Sequence, residues 1–153
     1  MTPLDIREWI LAEFDHVVPK PSWGETSFFV NPANKLPSGT YFATIKENDV
    51  GNDNASNLNR DGVFRLSFGP GNEAFCAKFD TPTARPPKGG QIAGDWNFEG
   101  LDVLTPHPIY GWMSWMAIRT LTAISLKECQ PLLSQAYEKA LNAARSRIKK
   151  LEK

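Results

Sequence analysis

Towards the C-terminus, Leu133, Ala136, Tyr137, Ala140, Leu141, Ala144, Ile148 and Leu151 recur at three- and four-residue steps. That spacing is one apolar stripe along an α-helix restarting at Pro131, about 33 Å long at ~1.5 Å per residue. A one-sided helix of this length must lie on an apolar surface of similar extent, so it limits the fold to a helical bundle or to a sheet with helices laid across it. The residues upstream choose the sheet. Thr26 to Val30 and Thr40 to Ile45 are rich in β-branched and aromatic residues, with Asn31-Pro32 and Pro37-Ser38-Gly39 between them, as two antiparallel strands require. Val63 to Phe68 puts Phe64, Leu66 and Phe68 on one face and Arg65 and Ser67 on the other, the alternation of a half-buried strand.

The flanking segments complete an α+β order. Thr2 caps a first helix with Pro3 at its first position and Asp5 as its capping-box partner; Ile6, Trp9, Ile10 and Phe14 form its apolar face, and Pro19-Lys20-Pro21 breaks the chain after it. A short helix spans 72 to 79. Residues 80 to 95, with Pro82, Pro86, Pro87, Gly89 and Gly90, read as a mobile surface loop. Trp112 to Arg119 reads as a long strand with Trp112, Met116 and Ile118 on one face and Met113, Trp115 and Ala117 on the other, so both faces need cover. Ser125 and Glu128 fit a capping box, but Pro131 removes a helical hydrogen bond, which predicts a turn before the last helix. The expectation is a single α+β domain over residues 1–153, an antiparallel sheet with the N- and C-terminal helices on one face.

Composition narrows the function. The 153 residues carry 17 Lys plus Arg against 17 Asp plus Glu. A neutral chain neutralises few phosphates, so nucleic acid is disfavoured as a partner. No run approaches the ~18 apolar residues of a membrane span, and the acidic start Met1-Thr2-Pro3-Leu4-Asp5 is unlike a signal peptide, so a cytoplasmic protein with no membrane partner is expected. Cys76 and Cys129 are far apart and outside any CxxC spacing, which indicates neither a disulfide framework nor a zinc site. No P-loop or GxGxxG is present, and no cofactor is implied.

Three segments hold the residues of chemical interest. In Thr105-Pro106-His107-Pro108-Ile109-Tyr110-Gly111-Trp112-Met113-Ser114-Trp115, two prolines fix the backbone around His107. His107 and Tyr110 then either satisfy buried backbone groups or, as an acid/base and its neighbour, carry a reaction. In the polar stretch 46 to 62, Lys46, Arg60 and the following Arg65 can hold an anionic group, or else pair with Asp49, Asp53 and Asp61 in solvated turns. Asn57-x-Asn59-x-Asp61-Gly62 imitates half a calcium loop, but Phe68 stands where a bidentate Glu is needed, so no metal is expected. Arg145, Arg147, Lys149, Lys150 and Lys153 are the cations a helix C-terminus favours.

Several of these motifs also occur together elsewhere. Trp23-Gly24-Glu25-Thr26, Phe42-Ala43-Thr44-Ile45-Lys46, Ala55-Ser56-x-Leu58-x-Arg60-x-Gly62-Val63-Phe64-Arg65-Leu66 and Pro106-His107-Pro108-x-Tyr110-Gly111-Trp112-Met113-x-Trp115 resemble an uncharacterised bacterial family known as a domain of unknown function, number 6194. The first half is more distantly similar to the MmcQ/YjbR group, which implies a CyaY-like α+β fold and a suggested role in DNA binding. The combined expectation is a small cytoplasmic binding domain in which Lys46, Arg60, Arg65, Trp112 and Trp115 line one cleft with His107 for a small anionic or aromatic ligand. A small enzyme using His107 and Tyr110, and a DNA-binding accessory protein, are the alternatives. The two-faced strand further predicts a homodimer that buries Met113 or Trp115.

Overall fold

Thr2 opens the first helix, α1 (Pro3–Glu13): its hydroxyl accepts from the Asp5 N–H at 3.2 Å while the Asp5 carboxylate accepts from the Thr2 N–H at 2.8 Å. A computed structural model describes the whole chain, Met1–Lys153. After α1 come β1 (Val17–Ser22), β2 (Glu25–Val30), β3 (Thr40–Lys46), β4 (Arg65–Phe68), α2 (Asn72–Phe79), β5 (Leu104–Pro106), β6 (Met116–Arg119) and α3 (Ala123–Leu151). The strands form one antiparallel sheet in the order β1-β2-β3-β4-β6-β5. The fold is thus α+β. No helix is long and apolar enough to cross a membrane.

One face of the sheet carries the hydrocarbon core. Phe28, Ala43, Ile45, Leu66, Phe68, Met116 and Ile118 meet Ile6 and Ile10 of α1 and the Leu133–Leu141 stripe of α3. A bulge opposite Phe28 and Phe29 turns both Phe42 and Ala43 toward the helices and sends Tyr41 to the other side. Phe14 stacks on Tyr137 at 4.7 Å and meets Phe42 edge-on at 5.4 Å, which ties the end of α1 to both α3 and the sheet.

Five local expectations are corrected. Pro19-Lys20-Pro21 is part of strand β1. The His16 carbonyl accepts the Asn31 N–H, so alternate residues Val18 and Lys20 face β2 while Pro19 and Pro21 present their missing N–H groups to the open edge, where no ladder bond is lost. Pro131 does not restart a helix. It lies inside α3, which runs 29 residues from its Thr122 cap; Pro131 and Lys127, whose carbonyl it cannot serve, are both exposed, so water can reach that carbonyl. The capping hydroxyl is that of Thr122, which accepts from the Ser125 N–H; the Ser125 side chain bonds Asp102. The segment Trp112 to Arg119 is a strand only from Met116. Gly111–Met113 is a 3-10 turn and Ser114 adopts a left-handed φ of 69°, which removes the two-faced strand.

The fifth correction concerns the second face of the sheet. Arg65 and Ser67 of β4 are as buried as Leu66 and Phe68, so the strand is covered on both sides. The cover is the chain's own: the long connections 47–64 and 80–115, the second of which also supplies the edge strand β5, fold over this face. The proline-rich loop is anchored by buried Ile92, whose N–H bonds the Pro108 carbonyl, by Arg85 over the Trp112 ring at 5.0 Å, and by nearby Trp96 against Phe79. The premise that called for a second copy over this face therefore falls away. Met113 stays 51% exposed and Trp115 packs on Tyr41 at 5.3 Å.

Candidate functional site

Strand register arranges the covered face in three parallel rows. The first is charged: Glu25, Lys46, Arg65 and Arg119 lie directly opposite one another across β2, β3, β4 and β6. The second is small and mostly hydroxylic: Ser27, Thr44, Ser67, Ala117 and Thr105. Beyond it lies an aromatic row, in which Phe29 opposes Tyr41 and Tyr41 meets Trp115. Gly69 belongs to this third row for a steric reason, since a Cβ there would stand 2.6 Å from the Trp115 ring. Small side chains between two bulky rows leave a trough.

The charged row is satisfied largely by the loops above it. Arg65, 1% exposed, donates from Nη1 and Nη2 to Asp53 Oδ1 and Oδ2 at 2.8 and 2.6 Å, and from Nη1 to Ser56 Oγ at 3.1 Å. Burial would push the Asp53 carboxyl up, but the Arg65 bonds and charge, with Lys46 adding to them, hold it well below the usual carboxylate range. Lys46 Nζ lies 3.3 Å from Asp53 and 3.4 Å from Glu25. Arg119, fully buried, has no carboxylate. It donates to the carbonyls of Asn97, Gly100 and Val103 and to Thr105 Oγ1, and burial, with Arg65 and Arg60 nearby, lowers its pKa to about 10. Arg60 acts in the same way outside the trough, donating to the carbonyls of Ser56, Asn57 and Glu99 at 3.0, 2.8 and 2.8 Å. Arg65 and Arg119 thus fasten the two loops to the sheet, and Arg60 ties the loops to each other.

His107 is buried beside this network, and its Nδ1 accepts the N–H groups of Ile109 and Tyr110, each at 3.1 Å. Those two bonds place the ring proton on Nε2. Burial and the nearby Arg65 push the imidazole pKa well below its ordinary value, so the ring is neutral. The turn it closes delivers Tyr110 to the surface.

A cleft of about 440 Å³ opens where the loops do not close over the rows. It is walled by Tyr41 and Tyr110, floored by Ser27, Lys46, Glu25 and Asp53, and rimmed by Val50, Asn52, Ile109 and the Gly89-Gly90 backbone. Glu25, Tyr41 and Tyr110 share its lining, and burial, then Tyr110 and Glu25, raise the Tyr41 phenol. Of the sequence-predicted residues, Lys46 and Tyr110 line this cleft, Arg65 lies behind it through Asp53, and His107 supports the Tyr110 wall. Arg60 is spent on loop carbonyls, Trp112 holds Arg85, and Trp115 buttresses Tyr41. Glu25, Ser27, Tyr41, Asn52 and Arg119 escaped notice in the sequence, although the parity of Lys46 with Thr44 and of Arg65 with Ser67 on adjacent strands was a signal for a polar sheet face.

The sequence matches a family described as a family of unknown function, DUF6194, over residues 1–149. The chain belongs to DUF6194. No curated protein and no solved structure matches it. The DUF6194 match brings no activity with it, so the cleft is the feature from which a function must be argued.

Proposed function

We propose that the chain is a small-molecule-binding domain whose ligand occupies the cleft between Tyr41 and Tyr110. The observation that carries this reading is the make-up of the covered face. A sheet face hidden by loops is as stable, or more so, when filled with hydrocarbon; here it holds Lys46, Arg65, Arg119, Asp53 and His107 instead. Burying charge is costly, and the one place where that cost yields something other than stability is the cleft, where Lys46 and Glu25 come within reach of solvent between two aromatic walls. A volume of about 440 Å³ suits a small metabolite and is within the ~300 to 1,000 Å³ of ligand sites.

A thermal-shift screen of a metabolite library followed by titration calorimetry tests the reading. Hits should bind wild type and lose at least tenfold in affinity to Ser27→Phe, which fills the trough, while Arg85→Ala, outside the cleft, retains them. Hits that bind Ser27→Phe as well as wild type overturn the assignment of the site.

A further inference from the structure

We infer that the cleft selects a zwitterion, a free α-amino acid or a close analogue, with its carboxylate on Lys46, its ammonium on Glu25 and its side chain between Tyr41 and Tyr110. The inference rests on the small-molecule reading above and specifies the ligand class.

Charge balance comes first. The cations at the cleft, Lys46 and Arg65, are already matched by Glu25 and Asp53. A simple anion or cation would add an uncompensated charge to a half-enclosed site, whereas a ligand carrying both signs leaves the balance intact. The contacts are also unequal. Arg65 grips Asp53 with bonds of 2.6 and 2.8 Å, but Lys46 stands 3.4 Å from Glu25 and 3.3 Å from Asp53, slack beside the ~2.7 to 2.9 Å of a charge-assisted bond.

Donors and acceptors are left over in matching number. Lys46 has three N–H donors and two carboxylate neighbours, which leaves one proton free. Glu25 Oε2 faces Lys46, and Oε1 has no partner within the protein. A donor and an acceptor therefore lie side by side, as the two charged groups on the single α-carbon of an amino acid require. Glu25 is the more accessible of the pair, its side chain 28% exposed against 8% for Lys46, so the ammonium end lies nearer the mouth. The paired tyrosines add a cation-tolerant wall beside it and a flat surface for a side chain.

The test uses the twenty standard amino acids one by one and, for the tightest, two truncated analogues: its carboxamide, a cation, and its deaminated acid, an anion. Calorimetry on the wild type should show each analogue bound at least tenfold more weakly than the parent. Glu25→Gln keeps the shape and removes one negative charge, so it should weaken the amino acid and narrow or reverse the preference over the deaminated acid. A thermal melt of Glu25→Gln reports whether it folds. Tyr110→Ala, at an exposed position, provides a second readout through loss of side-chain discrimination among the twenty. Equal binding of the deaminated acid to wild type overturns the inference, as does selectivity unchanged in Glu25→Gln. If every amino acid is silent while a sugar or an organic anion binds, the zwitterion assignment fails and the cleft stands; silence of the whole library overturns both.

Discussion

His107 shows how much work one side chain can do without touching a ligand. Its Nδ1 accepts two backbone N–H groups in the turn that presents Tyr110, a task that an Asn carbonyl can imitate. His107→Ala should cost on the order of 1 to 3 kcal/mol, and His107→Asn should recover part of it. The same ring predicts a pH effect. Its folded pKa lies below the ordinary 6.5, so above that value it is neutral in both states and contributes no pH dependence. As the pH falls below 6.5 the unfolded chain takes up a proton that the folded chain refuses, and stability declines; His107→Asn should remove that slope in denaturant titrations. An unchanged slope would contradict the neutral assignment. Asp53 acts lower on the scale and is depressed in the fold, so its contribution is complete above the unfolded value of 3.8 and is lost as the pH falls toward the folded one. Asp53→Asn should destabilise by about 3 to 5 kcal/mol at neutral pH because Arg65 is left buried without its carboxylate. The penalty should shrink below pH 4, as chemical denaturation of both proteins across that range will show.

Among the elements, those written in local periodicity were legible. The Thr2 cap, the apolar face of α1, the pair β2 and β3, the helix at 72–79 and the stripe of α3 all follow from neighbours within a few residues. What failed depended on distant partners. Whether Arg65 faces water or protein is decided by Asp53, twelve residues away in a loop, and by the 80–115 connection above it; no alternation pattern contains that information. Pro19 and Pro21 are tolerable in a strand only because β1 is an edge, which is a property of the whole sheet. Pro131 is tolerated because it falls on the outer side of α3. That position makes it a useful probe. Pro131→Ala restores an N–H to the Lys127 carbonyl and should raise stability by about 1 to 3 kcal/mol without altering the cleft. A melting temperature that stays level or falls would mean the proline is matched to a bend in α3.

For the molecule as a whole, the candidate site was half legible. Lys46, Arg65, His107 and Tyr110 were singled out by residue type, but the cleft is an outcome of how two loops stop short of closing over a polar sheet face, and Glu25, Ser27 and Tyr41 acquire meaning only from register. The molecule's neutral charge remains the argument against nucleic acid. Three of its 17 cations are also occupied within the fold: Arg60, Arg65 and Arg119. Duplex DNA should bind weakly and without sequence preference at physiological salt, because few counterions are released. Sub-micromolar, salt-sensitive binding in a fluorescence-anisotropy titration would refute this.

The unlike covers of the sheet have a thermal consequence. On one side the helices adhere through hydrocarbon, an attraction that weakens on cooling; on the other the loops are held by guanidinium bonds to carbonyls and carboxylates together with buried Leu58, Ile92 and Phe98, so a smaller share of their hold has that temperature dependence. Lifting the loops exposes charged as well as apolar surface and should carry a smaller heat-capacity change than lifting the helices. The local stabilities of the two sides of the same six strands should thus curve differently with temperature. Amides in the loops and in α3 should therefore exchange with heat and denaturant dependences that diverge, and warming can open the mouth of the cleft while the hydrocarbon side stays shut.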